Sequence, residues 1–284
     1  MKFNRPNASV FVPDGRPVEE AFRRVTHLGV AAHQDDLEIM AFHGILHCLR
    51  QTDEWFGGVV CTDGSGSPRQ GPYAACSDEQ MAAIRRREQE KAATIGDYGL
   101  LVQLNYTSKG VKDVADPGLK DDLVTVLKAT KPSVVYTHNP ADKHETHLAC
   151  GLTVLRALRA LPRSERPGRV YGCEVWRDLD WLDDRDKTVL DVGGYENLAA
   201  ALVGVYDSQI AGGKRYDLAA LGRRRANASF FQSHETDKAE GLWFALDLAP
   251  LVQDETLDVA DFVLARIDRF REAVAANIRK YRGA

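Results

Sequence analysis

The chain has 284 residues, of which 44% are hydrophobic and 27% are charged. These values are those of an ordinary soluble protein and exclude disordered, collagenous and fibrous classes. Lys and Arg number 37 and Asp and Glu 41, which gives a formal net charge of −4. The chain therefore has no overall attraction for nucleic acid or for an anionic membrane surface.

Membrane segments, export signals and disulfides are not expected. The longest apolar run, residues 198–206, is too short to cross a bilayer. Residues 1–17 lack the apolar core of a secretory signal, so we expect a cytoplasmic protein. The five cysteines are odd in number and form no CxxC pair, which predicts free thiols and no thiolate zinc site: they are Cys48, Cys61, Cys76, Cys150 and Cys173.

Short apolar runs alternate with segments of helical periodicity along most of the chain. In chain order we predict strand 26–32, helix 36–51, strand 55–62, a loop over 64–77, helix 78–96 with Asp78 as N-cap, strand 100–106, helix 117–131, strand 133–138, helix 146–161, strands 169–176 and 188–192, and helices 196–206, 214–231 and 258–282. Because crossover helices join parallel strands, this order predicts an α/β fold with a mostly parallel sheet covered by helices on both faces. The last hundred residues are less regular, so we expect one domain with a C-terminal extension.

Several common site motifs are absent from the sequence. Residues 32–36, which follow the first predicted strand, contain no glycine, and the Gly64-Ser65-Gly66 triplet lacks the third glycine of a dinucleotide-binding loop. Neither GxSxG nor a P-loop occurs. His144 and His147 are one residue too close together for HExxH. These absences disfavour nucleotide cofactors, serine-hydrolase chemistry and a helical zincin site.

Two clusters of histidine and aspartate follow two of the predicted strands. The first, after strand 26–32, comprises His33, Asp35 and Asp36, and the second, after strand 133–138, comprises Asp142, His144 and His147. If the two strands are neighbours, their carboxyl ends bring two imidazoles and a carboxylate together. Such a set suits zinc and leaves a position for water or substrate. The adjacent Asp35 would be free to act as a base.

Each cluster alone also has a simpler interpretation. A histidine at a strand end is commonly a hydrogen-bonded loop residue, and consecutive aspartates before a helix commonly cap it. The coincidence of two such clusters at corresponding strand ends favours the metal site. His43 and His47 form a further i, i+4 pair on an apolar helix, where we expect packed core histidines.

The two clusters also resemble the motifs of a known family. Residues 30–36, VAAHQDD, resemble the strand-end AHPDD motif of the LmbE-like (PIG-L) N-acetylglucosaminyl deacetylases. Residues 138–147, HNPADKHETH, are similar to that family's HxPxDxHxxH motif. Weaker matches are TDG at 62–64, RRRE at 85–88 and YDSQ at 206–209. The resemblance covers residues 26–210.

This resemblance implies a Rossmann-like fold, with a core over residues 26–210 and an extension over 211–284, and zinc-dependent hydrolysis of an N-acetyl group, usually on a glucosamine-type sugar. Carried over by position, the metal ligands would be His33, Asp36 and His147, for zinc or another divalent metal. Asp35 would be the general base. His144 would stabilise the oxyanion or protonate the leaving amine, and Arg85 would contact the substrate.

Three positions depart from the family pattern. Gln34 replaces the proline of the first motif, which we expect to loosen the backbone and alter the rim of the pocket. Thr146 stands where the family commonly has aspartate, so a carboxylate that orients the preceding histidine would have to come from Asp142 or Glu145. His43 occupies a place where a glycine is expected. These departures affect substrate identity more than chemistry.

The leading hypothesis is therefore a metal-dependent deacetylase of a small amino sugar or glycoconjugate, with no nucleic-acid or membrane partner. One alternative is an amidase acting on a non-sugar amide such as a thiol conjugate. Another is a non-catalytic module that binds a small ligand or a metal. The sequence leaves open the acyl substrate and whether the chain forms a homo-oligomer.

Overall fold

A single eight-stranded sheet organises residues 1–282, the part of the chain that the computed structural model describes. The strands are β1 (Ser9–Phe11), β2 (Val25–Ala31), β3 (Trp55–Thr62), β4 (Leu100–Tyr106), β5 (Val134–His138), β6 (Arg169–Cys173), β7 (Lys187–Asp191) and β8 (Leu242–Asp247). Their order across the sheet is β1-β4-β3-β2-β5-β6-β8-β7. The central strands β4, β3, β2, β5 and β6 are parallel, and the antiparallel pairs are at the margins. The predicted mostly parallel sheet is confirmed.

Helices cover both faces of this sheet. They are α1 (Val18–Arg24), α2 (Asp36–Met40), α3 (Phe42–Cys48), α4 (Asp78–Ile95), α5 (Ser108–Lys112), α6 (Gly118–Thr130), α7 (Glu145–Arg159), α8 (Glu196–Gly204), α9 (Asp207–Ile210), α10 (Tyr216–Phe230), α11 (Ala249–Gln253) and α12 (Val259–Tyr281). Alternate side chains of a strand point to opposite faces. Leu28 and Val30 of β2 thus pack in one core with α1, α6 and α7, whereas Ala31 packs in a second core with α2, α3, α4 and α8.

Helix α4 illustrates how local sequence sets the boundaries. The Ser77 hydroxyl accepts a hydrogen bond from the backbone N–H of Gln80 at 3.2 Å, and the Gln80 side chain accepts one from the backbone N–H of Ser77 at 2.8 Å. This reciprocal capping box satisfies two amides that the first turn leaves free. The N-cap is therefore Ser77 rather than the predicted Asp78, which is the first helical residue. Gly96 follows the last turn, as predicted.

The predicted helix 36–51 is two short helices. Ala41, at φ −106° and ψ 16°, leaves the helical conformation and separates α2 from α3. Arg50 adopts a positive φ of 59°, a left-handed conformation that commonly ends a helix. The helical segment therefore stops at Cys48 rather than at residue 51.

The C-terminal part of the chain contributes a strand that the sequence analysis did not predict. Strand β8 lies antiparallel between β6 and β7, so a segment of the predicted extension is built into the sheet. Short elements outside the predictions are β1, α1, α5, α9 and α11. Within residues 1–282, every helix is too short or too polar to span a bilayer. The five cysteines are free, and all except the half-buried Cys76 are buried.

Candidate active site

The two predicted clusters lie side by side because β2 and β5 are neighbouring parallel strands, with Leu28 opposite Val135. From β2 the chain continues outward on one side through β3 and β4, and it returns to build β5 and β6 on the other side. A reversal of this kind opens a crevice at the carboxyl ends of the strands, where ligands bind in open α/β sheets. The loops that follow β2 and β5 carry the two clusters into this crevice.

The three predicted metal ligands converge on one point. His33 Nδ1 lies 3.2 Å from Asp36 Oδ2 and 3.1 Å from His147 Nε2, and Asp36 Oδ2 lies 3.3 Å from His147 Nε2. Donor atoms of a tetrahedral zinc site with bonds of about 2.0 Å lie about 3.3 Å apart. Two nitrogens and one carboxylate oxygen at these separations fit such an ion without rearrangement of the backbone.

The carboxylate of Asp142 contacts the ring nitrogen of His147 that points away from the cluster. Asp142 Oδ2 lies 3.2 Å from His147 Nδ1, and both side chains are completely buried. Hydrogen bonding of Nδ1 to a carboxylate leaves the Nε2 lone pair facing the cluster, as in many metal-bound histidines. Burial alone would lower the pKa of His147, but Asp36 and Asp142 outweigh it and raise that pKa to about 9. The carboxylates thus favour a positive charge at this point, either a proton or a metal ion.

His138 supports the cluster and was given no role in the sequence analysis. Its Nε2 accepts the backbone N–H of Ala32 at 2.9 Å, and its ring stacks on His147 with centroids 4.0 Å apart. The lone pair that could bind a metal is therefore already used. The sequence does single out His138, because it is the first histidine of the HxPxDxHxxH match. Spacing alone, however, does not distinguish a histidine that supports the cluster from one that binds a metal.

Asp35 occupies a strained position at the edge of the cluster. Its φ is +89°, a left-handed value that costs a non-glycine residue about 1–3 kcal/mol. The backbone N–H donates to Gln89 Oε1 at 3.3 Å, and the carboxylate pairs with Arg85 at 3.1 Å. Burial raises the pKa of Asp35 to about 7, with Arg85 opposing the rise and Asp36 adding to it. This carboxylate can therefore take up and release a proton near neutral pH.

Arg85 is an internal anchor as well as part of the pocket wall. Its side chain is 2% exposed, and its guanidinium contacts the Gln34 carbonyl, Asp35 and, at 3.4 Å, Glu88. Glu88 in turn accepts the backbone N–H and the hydroxyl of Ser208 at 2.8 Å and 2.6 Å. The weak RRRE and YDSQ matches therefore meet in one buried network. Contact between Arg85 and a substrate stays a prediction.

His144 faces the cluster without the carboxylate partner that the sequence analysis sought. Asp142 accepts the backbone N–H of His144 at 3.0 Å but points its other oxygen at the ring of His147, and Glu145 pairs with Lys112. The His144 ring stacks on Trp176 with centroids 5.9 Å apart. Burial lowers its pKa to about 4, so this imidazole is neutral at pH 7 and can donate one N–H.

Two sequence predictions, one about Gln34 and one about His47, are wrong. Gln34 does not alter the pocket rim, because its side chain is buried and donates to the Thr62 carbonyl at 3.0 Å, which ties the end of β2 to β3. His47 is not a packed core histidine: its side chain is 42% exposed and lies 2.8 Å from Glu54. His43 is half-buried and contacts the Tyr136 hydroxyl at 2.8 Å.

All six predicted site residues line one cavity of about 550 Å³, a size typical of small-molecule sites. The cavity is also lined by residues from later parts of the chain, of which the sequence analysis named only Gln209, in the YDSQ match: they include Trp176, Gln209, Tyr216, Arg223 and Trp243. Trp176 and Tyr216 meet edge to face, with ring centroids 5.7 Å apart. The cavity therefore combines a His/Asp cluster with an aromatic wall.

Comparison with known proteins shows what the fold and the cluster are similar to. Residues 28–158 match the model of the PIG-L family, described as GlcNAc-PI de-N-acetylase. The chain is thus similar to the PIG-L family over residues 28–158, the resemblance that its motifs predicted. Probable N-acetyl-alpha-D-glucosaminyl L-malate deacetylase 2 of Bacillus subtilis (strain 168) is 26% identical over 166 residues, which cover 58% of this chain and 74% of that protein.

Solved structures share the fold at lower identity. The N,N'-diacetylchitobiose deacetylase of Pyrococcus horikoshii superposes with a TM-score of 0.58 and 17% identity, covering 78% of this chain and 83% of that one. GalB, the 4-carboxy-2-hydroxymuconate hydratase of Pseudomonas putida KT2440, gives a TM-score of 0.56 and 20% identity over 78% and 95% of the two chains. A deacetylase and a hydratase thus share this architecture, so the fold alone does not assign the reaction.

Proposed function

We propose that this protein is a zinc-dependent N-deacetylase that removes an acetyl group from a small amino sugar or glycoconjugate. The observation that carries the proposal is the convergence of His33, Asp36 and His147, whose ligand atoms lie 3.1–3.3 Å apart. Asp35, whose pKa is about 7, lies beside them. The family match to residues 28–158 supports the reaction type. The name of the Bacillus relative supports an N-acetylglucosaminyl substrate.

His33, Asp36 and His147 would hold the metal. Two imidazole nitrogens and one carboxylate oxygen are a donor set that suits zinc, although other divalent metals accept it as well. When bound there, the ion would polarise the amide carbonyl and lower the pKa of a nearby water. Asp142 would keep the ring of His147 in the orientation that binding needs.

Asp35 would move the proton. As a water oxygen bonds to the acetyl carbon, Asp35 accepts the proton that this water loses, which a carboxylate with a pKa near 7 can do at neutral pH. The neutral His144 donates a hydrogen bond to the oxygen that gains negative charge. When the C–N bond breaks, the amine needs a proton, and Asp35 returns to it the proton taken from the water, because the neutral His144 is too weak an acid to supply one. The products are acetate and the free amine.

The pocket wall supports a sugar-sized substrate. Trp176 and Tyr216 present aromatic surface in the same cavity as the cluster, and apolar faces of pyranose rings pack on such surfaces as other apolar groups do. Arg85 would complete the wall near Asp35. The cytoplasmic location and the absence of a nucleic-acid partner remain predictions from the sequence.

One assay tests this proposal against its alternatives. The protein is loaded with zinc or stripped with a chelator, and acetate release is measured on a panel of N-acetylhexosamines and thiol-conjugate amides. We expect zinc-dependent acetate release from an N-acetylhexosamine. Turnover of the non-sugar amides alone would instead identify an amidase, and bound zinc without turnover of any substrate would identify a binding module. Full activity of a metal-free preparation would contradict the metal role.

A further inference from the structure

The histidines of this chain fall into two groups at opposite ends of β2. His33, His138, His144 and His147 belong to the active site described above. His27, His43 and His47 lie near the start of the same strand, and His234 is exposed and belongs to no group of candidate metal ligands. His27 and His33 are six residues apart along an extended strand, which corresponds to roughly 20 Å. The second group is therefore separate from the active-site cavity.

Two of these histidines and one glutamate are close enough to share a ligand. His27, His47 and Glu54 each offer one ligand atom, and these atoms lie within 4.8 Å of one another. His47 Nε2 and Glu54 Oε2 are 2.8 Å apart, and the rings of His27 and His47 have centroids separated by 4.6 Å. His27 is 1% exposed, whereas the other two reach the surface, which gives a metal ion a path of entry.

Thr26 positions the ring of His27. The Thr26 hydroxyl accepts a hydrogen bond from the backbone N–H of Trp55 at 3.0 Å and lies 3.4 Å from the Trp55 carbonyl. The same hydroxyl oxygen is 3.0 Å from His27 Nδ1. A hydrogen bond on one ring nitrogen is usual for a histidine that binds a metal through the other.

We propose that His27, His47 and Glu54 form a second divalent-metal site, of the N₂O type that suits Zn²⁺. The site does not depend on the proposed deacetylase activity. Its ligands come from the start of β2, from α3 and from the residue before β3. A metal there cross-links three segments, including both ends of the 49–54 loop. We therefore assign it a structural role.

The groups that face His27 are His47 and His43 on α3, Arg169 on β6 and Thr26 on its own strand. Glu54 is the acidic member of the ligand group and supplies negative charge for a bound cation.

Zinc stoichiometry tests the second site directly. In the full chain, ZnCl₂ alone is titrated into metal-free protein and followed by calorimetry, with Co²⁺ as a spectroscopic substitute whose visible absorption reports ligand geometry. We expect two equivalents of zinc on the wild type and one on Asp36→Ala/His147→Ala. Adding His47→Ala or Glu54→Gln should weaken the remaining site by about tenfold or more. His234→Ala is the matched histidine control and should change nothing.

The expected readouts separate this site from the catalytic one. His47→Ala and Glu54→Gln alter exposed side chains, so they should fold, bind one equivalent and keep the acetate-release rate of the wild type. If Asp36→Ala/His147→Ala fails to fold, the comparison of wild type with His47→Ala still gives two equivalents against one. A single equivalent on the wild type that is abolished by Asp36→Ala, or binding indifferent to both His47→Ala and Glu54→Gln, would overturn the proposal.

Discussion

Asp35 and Asp36 are adjacent in sequence and have opposite environments. Burial raises the pKa of both carboxyl groups. In Asp36 this effect is outweighed by His147 and His33, which hold its pKa well below the ordinary value. At Asp35 the guanidinium of Arg85 opposes the effect of burial, Asp36 and Glu38 add to it, and the pKa rises to about 7. The carboxylate of Asp36 therefore stays charged at neutral pH, as the proposed metal ligand has to be, and its neighbour can exchange a proton.

This contrast predicts the pH dependence of catalysis. A general base works in its deprotonated form, so kcat/KM should fall as the pH drops below about 7, by about tenfold per pH unit. The measurement is kcat/KM from pH 5 to pH 9 at saturating zinc. Asp35→Asn should lack this acidic limb. An acidic limb of unchanged midpoint in Asp35→Asn would assign the titration to another group.

At the scale of elements, a buried network attaches α2 to the rest of the molecule. Glu38 of α2 is completely buried and accepts hydrogen bonds from the hydroxyls of Tyr98 and Tyr206, both at 2.6 Å, and from Gln89 at 2.8 Å. Burial raises the pKa of Glu38. Because Asp36 begins the same helix, these bonds also hold the His/Asp cluster in place.

Removing one donor from this network should destabilise the fold. Tyr206→Phe leaves Glu38 with one hydrogen bond fewer in a site closed to water, which costs about 1–3 kcal/mol in the free energy of unfolding. Chemical denaturation measures this value. Tyr195→Phe, at a 48% exposed position, is the matched control and should be neutral. Equal stability of the two variants would show that the Tyr206 hydroxyl contributes nothing to the fold.

The sequence predicted those elements whose signals are local. Strands β2 to β5 and helices α4, α6 and α7 agree to within a few residues, because apolar periodicity and caps lie within each segment. The break at Ala41 has no local marker such as proline or glycine. Residues 242–247 are a visible apolar run, but their insertion between β6 and β7 depends on pairing over long distances.

The same distinction holds for the site. Strand-end placement was enough to bring His33, Asp36 and His147 together, because parallel strands end at a common edge. The spacing of residues in the sequence does not show in which direction their side chains point. The sequence could therefore not show that Asp142 orients His147 rather than His144, or that His138 is occupied by the Ala32 amide.

At the scale of the whole molecule, the cavity is completed by residues far along the chain. The family match ends at residue 158, yet the aromatic wall is formed by Trp176, Tyr216 and Trp243. Residues beyond 158 therefore supply the aromatic wall of the pocket, while residues 28–158 supply the cluster. Substitutions in the aromatic wall should change the range of substrates, and substitutions in the cluster should change the rate of the chemical step.

Packing of the two cores predicts how the thiols react. Cys48, Cys61, Cys150 and Cys173 are buried, and only Cys76 is half-buried. In native protein one thiol should react rapidly with an aromatic disulfide reagent, and Cys76→Ser should abolish that reaction. In denatured protein five should react. A stable deficit of two after denaturation without reductant would indicate a disulfide, for which Cys61 and Cys150, with sulfurs 3.6 Å apart, are the nearest pair.

In the proposed mechanism, one acid of the Asp35-Asp36 pair moves a proton and the other holds a metal, and each role has its own readout. This assignment of roles is tested most directly by measuring metal content and kcat on the same preparations of Asp35→Asn and Asp36→Ala. We predict that Asp35→Asn keeps its zinc and loses activity by about 10²- to 10⁴-fold, the usual contribution of a positioned base, whereas Asp36→Ala loses zinc and activity together. Zinc retained by Asp36→Ala and lost by Asp35→Asn would reverse the assignment, and two active, zinc-loaded variants would contradict the account.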